Sequence, residues 1–411
     1  LDNTTNVWRE DKLQPERSLT QDQALSQAKK VYQGFFVADH VFSLQNLTLK
    51  PKKIHRPKID KYNATLTLVD KTGNLGIKDL FCTQGIETTA GSNVLAGYLP
   101  QYSSTVIKKL TAKNYKIKNK LNQDAWGHGS SGENSDFGPT KNPWDLSRVA
   151  GGSSSGSAVA VAISDVEIAT GTDTCGSIRM PANFTNICGI KPTYGALSRY
   201  GVIAFASSLD CPGLFAANIH KLKKAFNQAV SADPYDATSQ SHLRKKHSPL
   251  PIRTIGLPKE FYAKGLNQEI KKAILAAAAQ FKKLGIKITP VSLPHSHYGI
   301  AAYYLIAPTE TCSNLSRYDG ARYGQDRSYF GAEAKRRIML GAFAASAGYA
   351  SRYYNKAAKV RTLIIQDFTQ VFQKVDAILA PVAPMPPFKL GEKTSNPLEM
   401  YLADVYAAPA S

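Results

Sequence analysis

The sequence predicts an α/β protein, a central β-sheet covered by helices on both faces. Three observations carry this reading. Segments with a two-residue apolar period alternate along the chain with segments whose apolar residues recur every three to four positions, the pattern of strands and helices laid down in turn. The 411 residues, 43% hydrophobic and 20% charged, have the make-up of an ordinary globular protein. The middle of the chain, GGSSSGSAVAVAISDVEIATGTDTCGSIRMPANFTNICGIKP from Gly151 to Pro192, places Gly/Ser loops at both ends of an apolar segment, Ala158 to Ile163, that suits a buried helix. A helix start offers unpaired backbone N–H groups, and glycines let a ligand approach them closely.

Taken in order, Ser18 to Phe42 reads as a helix, with Ala24, Ala28, Val31 and Phe35 on one face and Ser18 or Thr20 as cap. It makes an N-terminal helical segment of about 1–48. The proline-punctuated basic run Leu49–Lys61 is a connection, and Ala64–Val69 alternates as a strand entering GNLGIKD, with Lys78 just after it. Ser104–Ala112 is a short helix, Tyr115–Leu121 a strand, and Gly127–Gly138 a loop too rich in Gly, Ser and Asn for regular structure. Ile219–Val230 is a helix and Ile252–Leu257 a strand. Asn267 caps an amphipathic helix carrying Ile270, Ile274, Ala277, Phe281 and Leu284, closed by Gly285. Lys287–Val291 is a strand, Ser351–Phe372 a long helix and Asp376–Ala380 a buried strand. No composition break marks a second domain, so 1–411 is expected as one domain. There is no initiator Met and no recognisable signal peptide.

Composition excludes several classes. No apolar run approaches a membrane span. Cys82, Cys175, Cys188, Cys211 and Cys312 are odd in number and lack CxxC spacing, against a disulfide framework or a zinc site, and no metal is expected. The Asn-x-Thr triplets at Asn3, Asn46, Asn63 and Asn183 then read as chance in a reducing compartment. A flexible linker would not enclose an apolar core segment, and neither GxxxxGK[ST] nor GxGxxG occurs between Gly151 and Pro192, so the central stretch is not a phosphate loop. Fifty-one Lys and Arg against 31 Asp and Glu give a net charge of +20, which suits RNA or an acidic partner surface but equally a set of solvated lysines.

The residues of this stretch resemble a known family. GGSSSGS, GTDTCGSIRMPA and GIKPTYG resemble the amidase signature. IKD at Ile77, GENSDFGPTKNPWD at Gly132, SRYGVIAFASSLD at Ser198, SNLSRYDGARYG at Ser313 and KRRIMLG at Lys335 extend the likeness, from about Lys78 to Asp404, to the A subunits of glutamyl-tRNA(Gln) amidotransferases within that family. The resemblance implies a single amidase-signature domain with a central mixed β-sheet. It also implies a C-terminal truncation and a shortened loop between Gly324 and Gly331.

Amide hydrolysis needs a nucleophile, a base and donors for the oxyanion. Eight His are available, but only His128 lies near a family-like motif, against a His-based triad. A lone lysine is ordinarily a solvated charge; buried, its pKa falls and it can act as a base. Carried over from the family, Lys78 is the base, Ser153 a bridging serine after a cis peptide, and Ser177 the nucleophile. The N–H groups of Thr174, Cys175 and Gly176 would face the oxyanion. Ser154 would join the network, while Asp173 and Arg179 would hold the loop. Tyr303, Arg337 and Asp404 would bind free glutamine, Arg pairing with the α-carboxylate and Asp with the α-ammonium; each also fits a structural ion pair.

Three departures stand out: Leu80 where Asn is usual, and Ser155 and Cys175 where glycines are usual. A positive φ at Cys175 would be strained, and a Cys175 thiol nucleophile is the sharper alternative. The implied activity is that of a glutaminase subunit in a mitochondrial complex, with bacterial cytoplasm as the alternative. Its expected partners are a B-type subunit, which uses ATP and Mg²⁺, and a small third subunit of C or F type, acting on Glu-tRNA(Gln). Other readings are a free-standing amidase and a weakly catalytic RNA-binding scaffold.

Overall fold

The computed structural model describes residues 58–239, 251–263 and 265–411, together with the strand residues 31–32 and 35–36. The chain separates into two compact units, Leu1–Lys50 and Pro51–Ser411. In the first, β1 (Val31–Tyr32) pairs antiparallel with β2 (Phe35–Phe36). The helix expected over 18–42 is therefore broken there: β-branched and aromatic residues favour extended backbone and override the helical spacing. The rest of that helix, and most of the 49–61 connection, lie outside the described residues.

The second unit is built on a six-stranded sheet. Its strands are β3 (Thr65–Leu68), β4 (Leu75–Lys78), β5 (Ile117–Leu121), β6 (Ile168–Asp173), β7 (Cys188–Ile190) and β8 (Cys211–Ala216). They lie in the order β3-β5-β4-β6-β8-β7. The sheet is mixed: β4 runs parallel to both β5 and β6, and the outer pairings are antiparallel. Lys78 is the last residue of its own strand rather than a residue trailing the Ala64–Val69 pattern. Four residues of LGIK, buried on both sides, show no alternation to be read.

Strand periodicity assigns the two faces. Ile168, Leu214 and Ala216 turn towards α1 (Thr105–Thr111) and the later helix Ile219–Ala229. Ala169 and Phe215, one position along, turn towards α2 (Ser155–Ala162) and α3 (Arg179–Thr185). The helix at Ile219–Ala229 is α4. The expected mixed sheet with helices on both faces is what forms, and the apolar segment 158–163 supplies the buried residues Ala158–Val161 of α2, with Ile163 as its C-cap.

The remaining strands make a smaller parallel sheet, β10-β9-β11, from β9 (Thr254–Pro258), β10 (Lys287–Val291) and β11 (Ala377–Ile378). The crossover from β9 to β10 is α5 (Gln268–Lys283), whose N-cap Asn267 accepts from the N–H groups of Glu269 and Ile270. Three further helices are α6 (Gly299–Leu315), α7 (Ala332–Ala345) and α8 (Tyr354–Phe372), followed by α9 (Pro397–Tyr401). Neither α6 nor α7 was legible as a helix, since Pro308 lies inside one and the other mixes charge and glycine. They cross closely at Gly341, where a Cβ would stand 2.0 Å from the Pro308 carbonyl oxygen. Among the described residues no helix is long and apolar enough to cross a membrane.

Candidate active site

Lys78 ends β4 in the middle of the sheet with no exposure to solvent. Its backbone N–H donates to Thr170 Oγ1 of the neighbouring β6, and its Nζ reaches Ser153 Oγ at 2.8 Å, Ser154 Oγ at 2.8 Å and Thr172 Oγ1 at 2.7 Å. Burial pulls the ammonium pKa down to about 7, against the opposing pull of Asp124, Asp173 and Asp210. A lysine poised there can be a proton acceptor near neutral pH.

The serines arrive on the turn into α2. The Gly152–Ser153 peptide is cis, the conformation the family resemblance implies. Ser154 N–H donates to the Ser177 carbonyl at 3.2 Å, which ties the first hydroxyl loop to the second. Ser177 itself is 7% exposed. Ser155, in place of a glycine, donates to Thr140 Oγ1 and takes no part in this network.

The turn from β6 to α3 is organised by Asp173. Its carboxylate accepts from the N–H groups of Gly176, Ile178 and Arg179 and from the Arg179 guanidinium at 2.9 and 3.0 Å. Burial alone would raise its pKa, but the Arg179 charge and these bonds outweigh burial and hold it well below the usual carboxylate range. Both residues thus hold the loop. Gly176 N–H, expected to face the oxyanion, is directed at Asp173 Oδ1 at 2.7 Å. Thr174 anchors through its hydroxyl to Asp210 at 2.8 Å.

The left-handed residue of this turn is Gly176, at φ 112°, not Cys175, so the strain expected at the cysteine does not arise. Cys175 packs with Phe205, Tyr303 and Ala408, and burial pushes its thiol well above the ordinary value. A protonated thiol in an apolar cluster is a poor nucleophile.

Beside this turn lies a pocket of about 140 Å³ lined by Ser130, Glu133, Tyr304, Arg337 and Tyr401, among others. Arg337, 2% exposed, donates Nε–H to Glu333 at 2.8 Å, and its guanidinium carbon stands 5.5, 5.2 and 5.8 Å from the rings of Phe205, Tyr304 and Tyr401. Its Nη1 is buried without a partner, as is Asp404 Oδ1. A Cβ on Gly176 would be 3.6 Å from that Asp404 oxygen, so the carboxylate borders the turn that carries Ser177. Asp404 Oδ2 accepts from the Ser130 hydroxyl and, at 3.4 Å, from Tyr304. Burial raises its pKa to about 7 despite Ser130 and Arg337. A buried donor and a buried acceptor of opposite charge, each with an unfilled valence, suit a zwitterionic ligand.

Tyr303 is buried, with Cys175 in its cluster and its phenol beside Arg337, and the adjacent Tyr304 reaches both Arg337 and Asp404. Sequence reasoning missed Tyr304, Ser130 and Thr172. The doubled tyrosine was the one visible hint; nothing in the loop marked Ser130.

The Amidase family profile matches residues 74–411. The chain belongs to the amidase family. Among amidases it is similar to the A subunit of the glutamyl-tRNA(Gln) amidotransferase of Myxococcus xanthus, 47% identical over 363 residues, spanning 82% of this chain and 74% of that one. The corresponding protein of a Sulfurihydrogenibium species is 44% identical over 393 residues, spanning 90% and 80%. The crystal structure of the same protein from Thermotoga maritima superposes with a TM-score of 0.72 at 36% identity, covering 85% of this chain and 78% of that one. A Kluyveromyces lactis allophanate hydrolase shares the amidase fold at TM-score 0.71 and 26% identity, over 82% of this chain and 54% of its own.

Proposed function

We propose that this amidase is the glutaminase component of a tRNA-dependent amidotransferase. The observation that carries the reading is the buried Lys78 bonded to the Ser153 and Ser154 hydroxyls, with Ser177 on the adjoining turn. Neutral Lys78 takes the proton of Ser153 as Ser153 takes that of Ser177. Ser177 Oγ attacks the glutamine δ-carbon, and the C–N bond breaks as the proton returns through Ser153 to the departing ammonia. Water then cleaves the glutamyl ester to release glutamate. Arg337 and Asp404 hold the α-carboxylate and α-ammonium, a fit that favours glutamine over an amide lacking them.

In this reading the ammonia passes to a B-type partner, which uses ATP and Mg²⁺ to amidate Glu-tRNA(Gln), with a small C- or F-type third subunit completing the complex. The net charge of +20 supports placement beside tRNA and, with family membership, a mitochondrial setting; bacterial cytoplasm is the alternative. Measuring ammonia release from glutamine by the purified chain, alone and with its co-purifying partners, tests the proposal. Equal turnover of glutamine and a simple amide, unaffected by partners, would favour a free-standing amidase.

A further inference from the structure

Asp124 is fully buried and lies between the two halves of the site. Its carboxylate accepts from Gly132 N–H at 3.0 Å and Asn134 N–H at 2.8 Å, fastening the loop that carries Ser130 and hence the Ser130–Asp404 bond. Its own N–H donates to the Ser153 carbonyl at 3.1 Å. The fit is tight: a Cβ on Gly152, which precedes the cis peptide, would stand 2.0 Å from Asp124 Oδ2, and one on Gly129 would stand 2.5 Å from its Cγ. Two buried N–H groups satisfied by two separate oxygens require a carboxylate, because an amide of the same shape offers one oxygen and one N–H₂. A short polar side chain on an irregular loop has no sequence signal of its own.

The geometry points to Asp124 as a positioning residue that couples the base network to the glutamine pocket, fixing Ser153 on one side and the Ser130 loop on the other. This inference rests on the amide-hydrolysis reading and adds a residue to it. The carboxylate is also the foremost of the charges that favour protonated Lys78, ahead of Asp173 and Asp210, and Glu133 is the nearby acid acting on Asp124 itself. Removing the charge therefore lowers the Lys78 pKa, whereas a purely structural residue would leave it alone.

Asp124→Asn tests this in the full chain. The expected result is a loss of at least about tenfold in kcat/KM on both glutamine and a simple amide, with the acid limb of the pH profile moved down by roughly half a unit or more. Hydrogen exchange across residues 130–135 should lose protection in the same variant. An unmoved acid limb with full protection overturns the assignment. If the variant does not fold, hydrogen exchange on the wild-type protein decides. Protection at Gly132 and Asn134 that falls as pH drops through about 7 supports the coupling, since burial raises Asp124 to about 7, and pH-independent protection overturns it. A wild-type protein inactive on both amides would sink the hydrolysis reading, while the exchange experiment would still judge Asp124.

Discussion

Lys78 Nζ stands 2.8 Å from Ser153 Oγ, 75 positions away along the chain, and the lysine has no access to solvent. An ammonium there loses its hydration and has neutral hydroxyls as its hydrogen-bond partners, and that loss outweighs the pull of Asp124, Asp173 and Asp210, which brings the pKa down to about 7. The same arrangement makes the site's chemistry and its energetics depend on pH together.

Between about pH 7 and 10.5 the unfolded chain binds a proton at Lys78 that the folded chain does not. Stability from this group therefore rises with pH across that window and is flat below about 7. Lys78→Met removes the effect, so the difference in melting temperature, variant minus wild type, should be most positive near pH 7 and shrink towards pH 10. Lys78→Met and Lys78→Arg should both be inactive, because guanidinium stays protonated. Thermal unfolding at several pH values checks the slope, and a constant difference would place a neutral lysine in doubt.

Ser177→Ala should abolish glutamine hydrolysis with little change in stability, since its turn is held by Asp173 through its neighbours rather than by the Ser177 hydroxyl. Ammonia-dependent activity of the complex should survive. Residual glutaminase turnover above a few per cent would move the nucleophile elsewhere.

Arg337→Ala and Asp404→Asn should weaken glutamine recognition by about 2–5 kcal/mol, because each leaves the other ligand charge unmatched in a buried pocket. A simple amide without α-substituents should lose far less. Steady-state kinetics on both substrates separates recognition from a folding role, for which the two losses would be equal.

Cys175→Ala should retain activity within a few-fold, as its thiol is protonated and packed among apolar neighbours. Gly176→Ala, one residue on, should be severely impaired: φ is 112° and the new Cβ would meet Ala407 Cβ at 2.9 Å. Comparable activity in the two variants would argue that the turn's shape is unimportant.

The helices α5 and α8 were legible because their apolar spacing reflects packing against one layer, α2 because it is an unbroken apolar run, and the mixed character of the sheet through the family resemblance. The β4 strand was not, since LGIK is buried on both faces and carries no alternation. Lys78, Ser153 and Ser177 became visible through motif resemblance, not through periodicity, and the left-handed residue of the second loop is Gly176, one position beyond the glycine-to-cysteine departure. Ser130, Tyr304 and Asp124 escaped because each matters through a partner far along the chain, and such pairings exist only once the fold has brought them together.

The Ser130–Asp404 bond spans 274 positions, and Arg179 reaches Ala407 across 228, whereas every hydroxyl bonded to Lys78 has been made by residue 172. In a chain emerging from the ribosome N-terminus first, the proton-transfer groups are thus available well before the residues that close the amino-acid pocket. The two halves of the site thus differ in how much of the chain they need: the lysine network draws on residues 78–172, whereas the Ser130–Asp404 contact requires the turn at Leu402–Asp404 as well.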